Sequence, residues 1–253
     1  VDASDRSDAS DRPMNCAPLA AILLDPSDLP ALSDLEAESL RGSGFSVSHA
    51  PDDAVEGWAE VLRDGLTFDI NGLAGGPAQT APSVNAGVGI SPAELDGLAS
   101  LSLAPGPHLA GAQRLLPVIR VATNLLLDLA RIGPAKAIAW LPAKLLIRVD
   151  LFERAVLPWL EGGPFPAPAF VALHGNAEVG LQSTGLNFFI EQEFLLQSAA
   201  PENAGQLPRV AIRLIDWLVA HGPISSPTEA VLAGTGAVLL EVDTGGRILA
   251  RCD

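Results

Sequence analysis

Apolar residues recur along this chain in two rhythms, and the switches between them mark out the elements. Pro18 to Asp25, "PLAAILLD", is a short unbroken apolar run closed by Asp25-Pro26, the pattern of a buried strand. Leu29, Leu32, Leu35 and Leu40 then fall near one helical face with acids opposite, and Gly42 supplies a stop. Phe45, Val47 and His49 alternate with serines, which predicts a second strand and a β-α-β opening. Val55 to Arg63 reads as a short helix and "LTFDI", Leu66 to Ile70, as a strand. Gly72 to Gly89 lacks periodicity and is rich in Gly, Pro and Ala, so a long mobile loop is expected there.

Further on, "LASLSLAP" (Leu98 to Pro105) resumes as a strand, and Leu115 to Ile132 forms a long helix ended by Gly133-Pro134. Arg120, Asn124, Asp128 and Arg131 make one polar stripe on it, a wet edge that also disqualifies it as a membrane span. "AKAIAWLP" is a strand, and Asp150 with Glu153 forms a capping box before a helix over Leu151 to Glu161. "APAFVALHG" is the next strand. In "LQSTGLNFFIEQEFLL" (Leu181 to Leu196), Leu186, Phe188, Ile190, Phe194 and Leu196 share one parity, which predicts a half-buried strand with Glu191 and Glu193 outward. Pro208 opens a helix whose apolar face is Val210, Ala211, Leu214, Ile215 and Leu218, and Gly222-Pro223 ends it. Gly245-Gly246 between "AVLLEV" and "RILARC" predicts a closing β-hairpin.

The total is about nine or ten strands and five or six helices with both crossovers and hairpins, which favours an α+β fold. Its expected form is a mixed, largely antiparallel sheet packed by several helices. Residues 14–253 are expected to form one such domain, and a pair of sub-halves meeting near 74–95 fits the same pattern. Residues 1–13, a repeat of Asp-Ala-Ser-Asp-Arg without an apolar run, read as a disordered tail or an over-extended start ahead of Met14.

Charge and composition narrow the function classes. Acids outnumber Lys and Arg 30 to 15, for a net charge of −15, which argues against tracking nucleic-acid phosphates or anionic lipid and leaves a basic protein as the favoured partner. The absence of Tyr and the abundance of Ala, Gly and Pro suit a GC-rich bacterial genome. Cys16 and Cys252 form no CxxC, so no thiolate metal site is indicated and a reduced, cytoplasmic pair is expected, the alternative being one terminal bridge if the two end strands are neighbours.

Motifs for chemistry are sparse. "GLQSTG" only loosely resembles a nucleophile elbow, because Ser183 stands three residues after Gly180. His49, His108, His174 and His221 show no metal-ligand spacing, and the Gly-rich pieces are not placed to cradle phosphate, so no metal or other cofactor is expected. Glu191 and Glu193 remain the best acid-base candidates, with His174 or His221 as partner. If Glu193 is buried, Arg209 or Arg213 is the expected counter-ion.

"TGLNFFIEQEF" followed by an apolar helix resembles the signature of a bacterial family known as a domain of unknown function, Gly-Leu-x-x-Phe-x-x-x-Glu in its carboxyl-terminal half. The matching residues are Gly185, Leu186, Phe189, Glu193 and Phe194, and the resemblance extends over about Leu115 to Pro223. Ile190 and Leu195 depart from it, standing where the family usually has Gly and often an acid. No catalytic residues are established for that family, and related domains are suspected of acting as immunity or binding proteins. The expectation is therefore a non-catalytic protein-protein interaction domain, immunity-type or regulatory. The alternative is a metal-independent hydrolase using a Glu-His pair. Oligomeric state does not follow from the sequence.

Overall fold

The computed structural model describes residues 16–176, 180–198 and 205–252, and the expected tail at 1–13 lies outside them. The fold is α+β, with two mixed, largely antiparallel sheets. The first sheet contains β1 (Ala20–Leu24), β2 (Ser46–His49), β3 (Trp58–Arg63), β4 (Leu66–Asn71), β5 (Ala86–Val88), β6 (Ala99–Pro105), β7 (Ala137–Trp140) and β8 (Leu145–Arg148). Their spatial order is β2-β3-β4-β6-β1-β7-β8-β5, antiparallel throughout except for β5 beside β8. The second sheet contains β9 (Ala172–Asn176), β10 (Gly180–Thr184), β11 (Phe194–Ser198), β12 (Thr228–Leu232), β13 (Gly236–Val242) and β14 (Ile248–Cys252). Here the order is β12-β13-β14-β11-β10-β9, with β11 and β14 parallel.

Six α-helices are present among the described residues: α1 (Leu32–Leu40), α2 (Leu116–Ile132), α3 (Val149–Leu160), α4 (Ala167–Phe170), α5 (Asn187–Ile190) and α6 (Leu207–His221). None is long and apolar enough to cross a membrane. The first sheet ends at Arg148 and the second begins at Ala172, so the chain passes between them through α3 and α4. The two sheets share a layout that no sequence repeat reveals. In β1-α1-β2-β3-β4 and again in β11-α6-β12-β13-β14, a strand and a helix lead into three antiparallel strands whose last runs parallel to the first. In the second sheet those two pair directly, whereas in the first β6 lies between them.

Alternation sorts the first sheet into two faces. Ile22, Val61, Phe68, Ile70, Leu101, Leu103, Ile138 and Trp140 point to the main core, which is continuous with Phe194, Leu196, Val238 and Leu240 of the second sheet. Ala21, Leu23, Ala137, Ala139 and Leu146 point the other way and are covered by Ala81, Val84, Ile90 and Leu95. The segment expected to be a mobile loop therefore supplies part of this cover through Ala81 and Val84, and residues 86–88 pair with β8 as β5.

Three local expectations are corrected. Trp58 to Arg63 is a strand, because Asp53 caps only a single turn at Ala54–Glu56 and Ala59 and Val61 then alternate inward. Asp150 does not cap α3. The helix starts at Val149, and Asp150 instead accepts from Arg148 at 2.5 Å and Arg154 at 2.8 Å. "APAFVALHG" begins as α4 and becomes β9 only at Ala172.

The polar stripe of α2 is a seam, not a wet edge. Arg120 donates to the Trp159 carbonyl at 2.5 Å with its guanidinium 4.3 Å from the Trp159 ring, while Asp128 accepts from Arg63 and Arg131 pairs with Glu153. The stripe thereby ties α2 to β3 and α3. The Arg63 and Asp128 side chains are only 14% and 21% exposed, so removing one partner strands the other away from water. Asp128→Ala is expected to lower unfolding free energy by about 2–3 kcal/mol in urea titrations.

Candidate functional site

The stretch Leu181 to Leu196 folds differently from the strand its parity suggests. β10 ends at Thr184, Gly185 takes a φ of +95°, and Asn187–Ile190 closes into α5 before β11 begins at Phe194. Leu186 and Ile190 are buried because they are four apart on one helical face, not because they alternate. Gly185 has a second reason to be glycine: a Cβ there would stand 2.5 Å from the Ala143 Cβ and 2.7 Å from its Cα. This close approach seats the turn on the first sheet. Phe188 and Phe189 then reach Trp140, with ring centroids 5.7 and 6.4 Å away.

Glu193 holds this turn together. Its Oε2 accepts from the Ser183 hydroxyl at 2.5 Å, and its Oε1 accepts from the backbone N–H groups of Gly185 at 2.7 Å and Asn187 at 3.2 Å. Ser183 is buried, and its oxygen in turn accepts from the Phe194 N–H at 2.8 Å. The donors are thus a serine and the backbone, and Glu193 is half-buried, so the full burial that would have required Arg209 or Arg213 does not arise. Gln192, the one polar residue of the apparent apolar parity, accepts from the Ile224 N–H and donates to the carbonyls of Ile224 and Gly246. It fastens the closing hairpin to the same turn.

The other sequence candidates lie elsewhere. Glu191 sits exposed at the end of α5 with a φ of +64°. His174 is half-buried on the edge strand β9, opposite Gln182. His221 ends α6, donates from Nδ1 to the Trp217 carbonyl at 2.7 Å and stacks on the Trp217 ring at 3.9 Å. Among the described residues no hydrogen bond joins Glu191 or Glu193 to a histidine, and no three His, Cys, Asp or Glu side chains cluster with metal-binding geometry. Cys16 and Cys252 lie against different carbonyls, Gly106 at 3.9 Å and Gln197 at 3.6 Å, with no disulfide between them.

A constellation that sequence reading missed forms on the outer face of the first sheet. Asp64 and Gly65, with φ of +49° and +79°, make a two-residue hairpin turn between β3 and β4. That turn fixes the register, so Glu60 faces Asp69, Leu62 faces Thr67 and Trp58 faces Asn71. A bulge in β2 lets Ser48 donate to a Glu60 carboxylate oxygen at 2.7 Å and brings the His49 ring 5.5 Å from Trp58. On the far side, His108 Nδ1 lies 3.1 Å from the Thr67 hydroxyl. Counting outward from Asp64-Gly65 is the sequence signal that would have found the acid pair.

Asp69 is only 7% exposed and accepts no hydrogen bond from the described residues. Burial is the main cause that raises its carboxyl above the ordinary aspartate range, the facing Glu60 raises it further, and His108 partly opposes them. The pocket between β5 and β9 is of another kind. It encloses about 180 Å³ lined by residues such as Leu145, Pro168, Leu173 and Ile212, and no charged side chain lines it.

The fold and this face together define an α+β protein with a latched internal turn and an acidic, aromatic-edged sheet surface. Compared with known proteins, the chain matches no family model, no curated protein and no solved structure.

Two variants separate the structural carboxylate from the unpartnered one. Glu193→Gln presents an amide to three donors and is expected to cost about 3 kcal/mol of unfolding free energy in urea. Asp69 behaves oppositely. Because its folded-state pKa is raised, the native state binds the proton more tightly, and stability falls as pH rises from the unfolded value near 3.8 through the folded one. Asp69→Asn should therefore be more stable than the parent at pH 7, with the two converging in urea titrations below the unfolded pKa.

Proposed function

We propose that the protein is a non-catalytic protein-protein interaction domain, regulatory or immunity-type, which takes a basic partner on the outer face of the first sheet. The observation that carries this reading is the company Trp58 keeps. It is half-exposed beside His49 and flanks the Glu60 and Asp69 pair, with Leu62 37% exposed one position along the same face. Tryptophan is the side chain most enriched where interfaces concentrate their binding energy, and a charged rim around it sets register and orientation.

The net charge of −15 adds long-range attraction for a cationic partner. The resemblance around Gly185 to Phe194 supports a binding role. The same proposal has the protein in the cytoplasm, where Cys16 and Cys252 stay reduced.

The test is affinity capture from a lysate of the source organism at low salt, with mass spectrometry, using the parent and Trp58→Ala side by side. A stoichiometric basic protein retained by the parent and reduced about ten-fold or more on the variant is the expected result. Equal capture by both proteins, or no stoichiometric partner on the parent, would contradict the reading.

A further inference from the structure

Asp69 poses a chemical problem that the protein alone leaves open. A side chain as covered as that of Asp69, a residue only 7% exposed, normally recovers its lost hydration from hydrogen-bond donors, and even the half-buried Glu193 has three. Asp69 has none among the described residues, and directly across the β3-β4 ladder stands a second carboxylate, Glu60. Facing carboxylates in an antiparallel pair have Cβ atoms about 5 Å apart, close enough to repel and close enough to share one cation.

We propose that Glu60 and Asp69 form a receptor for a single guanidinium group, presented by an arginine of the basic partner. The inference rests on the protein-binding reading above and specifies the contact at its centre.

Three features favour this ligand chemistry. Glu60 is already oriented, because the Ser48 hydroxyl holds one of its oxygens. That leaves its remaining acceptor capacity and all of Asp69's for an incoming donor set. Two carboxylates on adjacent strands present acceptors along separated directions. The five N–H donors of a planar guanidinium can serve both at once, while an ammonium acts as a compact point charge. Finally, Trp58 uses its indole N–H on Glu56 at 3.0 Å, so it is held in place beside the pair, where its ring and that of His49 offer π surface. Guanidinium groups stack on such surfaces better than ammonium groups do.

The arrangement also gives a reason for an otherwise costly pair. In the free protein Asp69 is desolvated and faces a like charge, whereas in the complex one cation relieves both. Thr67 and His108 close the side of the site away from β2, and the His108 ring lies near enough to oppose the upward shift of Asp69.

The experiment is a ¹⁵N-detected NMR titration of the full chain with N-acetyl-arginine N-methylamide, and separately with the matched lysine compound, at constant ionic strength. The arginine compound should give saturable shifts at the Glu60 and Asp69 amides and the Trp58 indole N–H, with affinity about ten-fold or more above that of the lysine compound. Asp69→Asn, whose folding is checked by the rest of the same spectrum, should weaken arginine binding about ten-fold or more. Equal affinities, preference for lysine, non-saturating shifts spread over the surface, or unchanged binding by Asp69→Asn would each overturn the inference. Trp58-dependent capture of a partner without arginine binding would overturn the guanidinium receptor alone. Arginine binding without a captured partner would overturn the docking reading and leave the receptor standing.

Discussion

The carboxylate of Glu193 closes a turn between β10 and β11, and the joining of the two sheets follows from that closure. With Ser183, Gly185 and Asn187 drawn onto one side chain, the backbone has no extended path from Thr184 to Phe194 and winds into α5. The winding turns Phe188 and Phe189 toward Trp140, where Phe170 also packs at 4.7 Å, and Phe189 meets Phe165 at 5.0 Å. Full burial of an aromatic side chain of this size contributes about 1.5–3 kcal/mol, so the cluster outweighs any single polar contact in the molecule. The carboxylate's role is geometric: it decides which face of the turn the rings occupy.

This division of labour separates Glu193 from Asp69. Glu193 is half-buried and accepts from three donors. Asp69 is more deeply covered but accepts no hydrogen bond among the described residues, and it faces Glu60 across the β3-β4 ladder. Of the two, the site with unmet hydrogen-bonding capacity is the one with something left to offer a ligand. Glu191, adjacent in sequence to the latch, is exposed.

How legible all this was depends on whether local pattern or distant contact decides the structure. β1, β4, β6, β7, α1, α2, α6 and the closing hairpin follow from apolar period and from glycine or proline stops, and they appear within a residue or a few of where these signals fall. The stretch from Leu186 was misleading because its apolar residues satisfy both an alternating pattern and an i, i+4 pair. The choice between them was made by Glu193 and by the contact of Gly185 with Ala143, more than forty residues away. β3 was obscured by the helical turn just before it, although Ala59 and Val61 alternate cleanly. β5, β8 and β12 are short strands whose pairing partners stabilise them more than their own sequence does. The acid pair was encoded in the Asp64-Gly65 turn. It became visible only once Trp58 to Arg63 was a strand, because register has no meaning for a helix.

The central structural claim is that the Ser183 to Phe194 latch belongs to the cooperative core of the whole molecule. Native-state hydrogen exchange tests it most directly through the amides of Gly185 and Phe194, which donate to Glu193 and Ser183, measured beside the amide of Ile22 in the central strand of the first sheet. The latch predicts that all three exchange only through global unfolding, with the same free energy and the same denaturant dependence. Rapid exchange of Gly185 and Phe194 through local opening, while Ile22 stays protected, would contradict it.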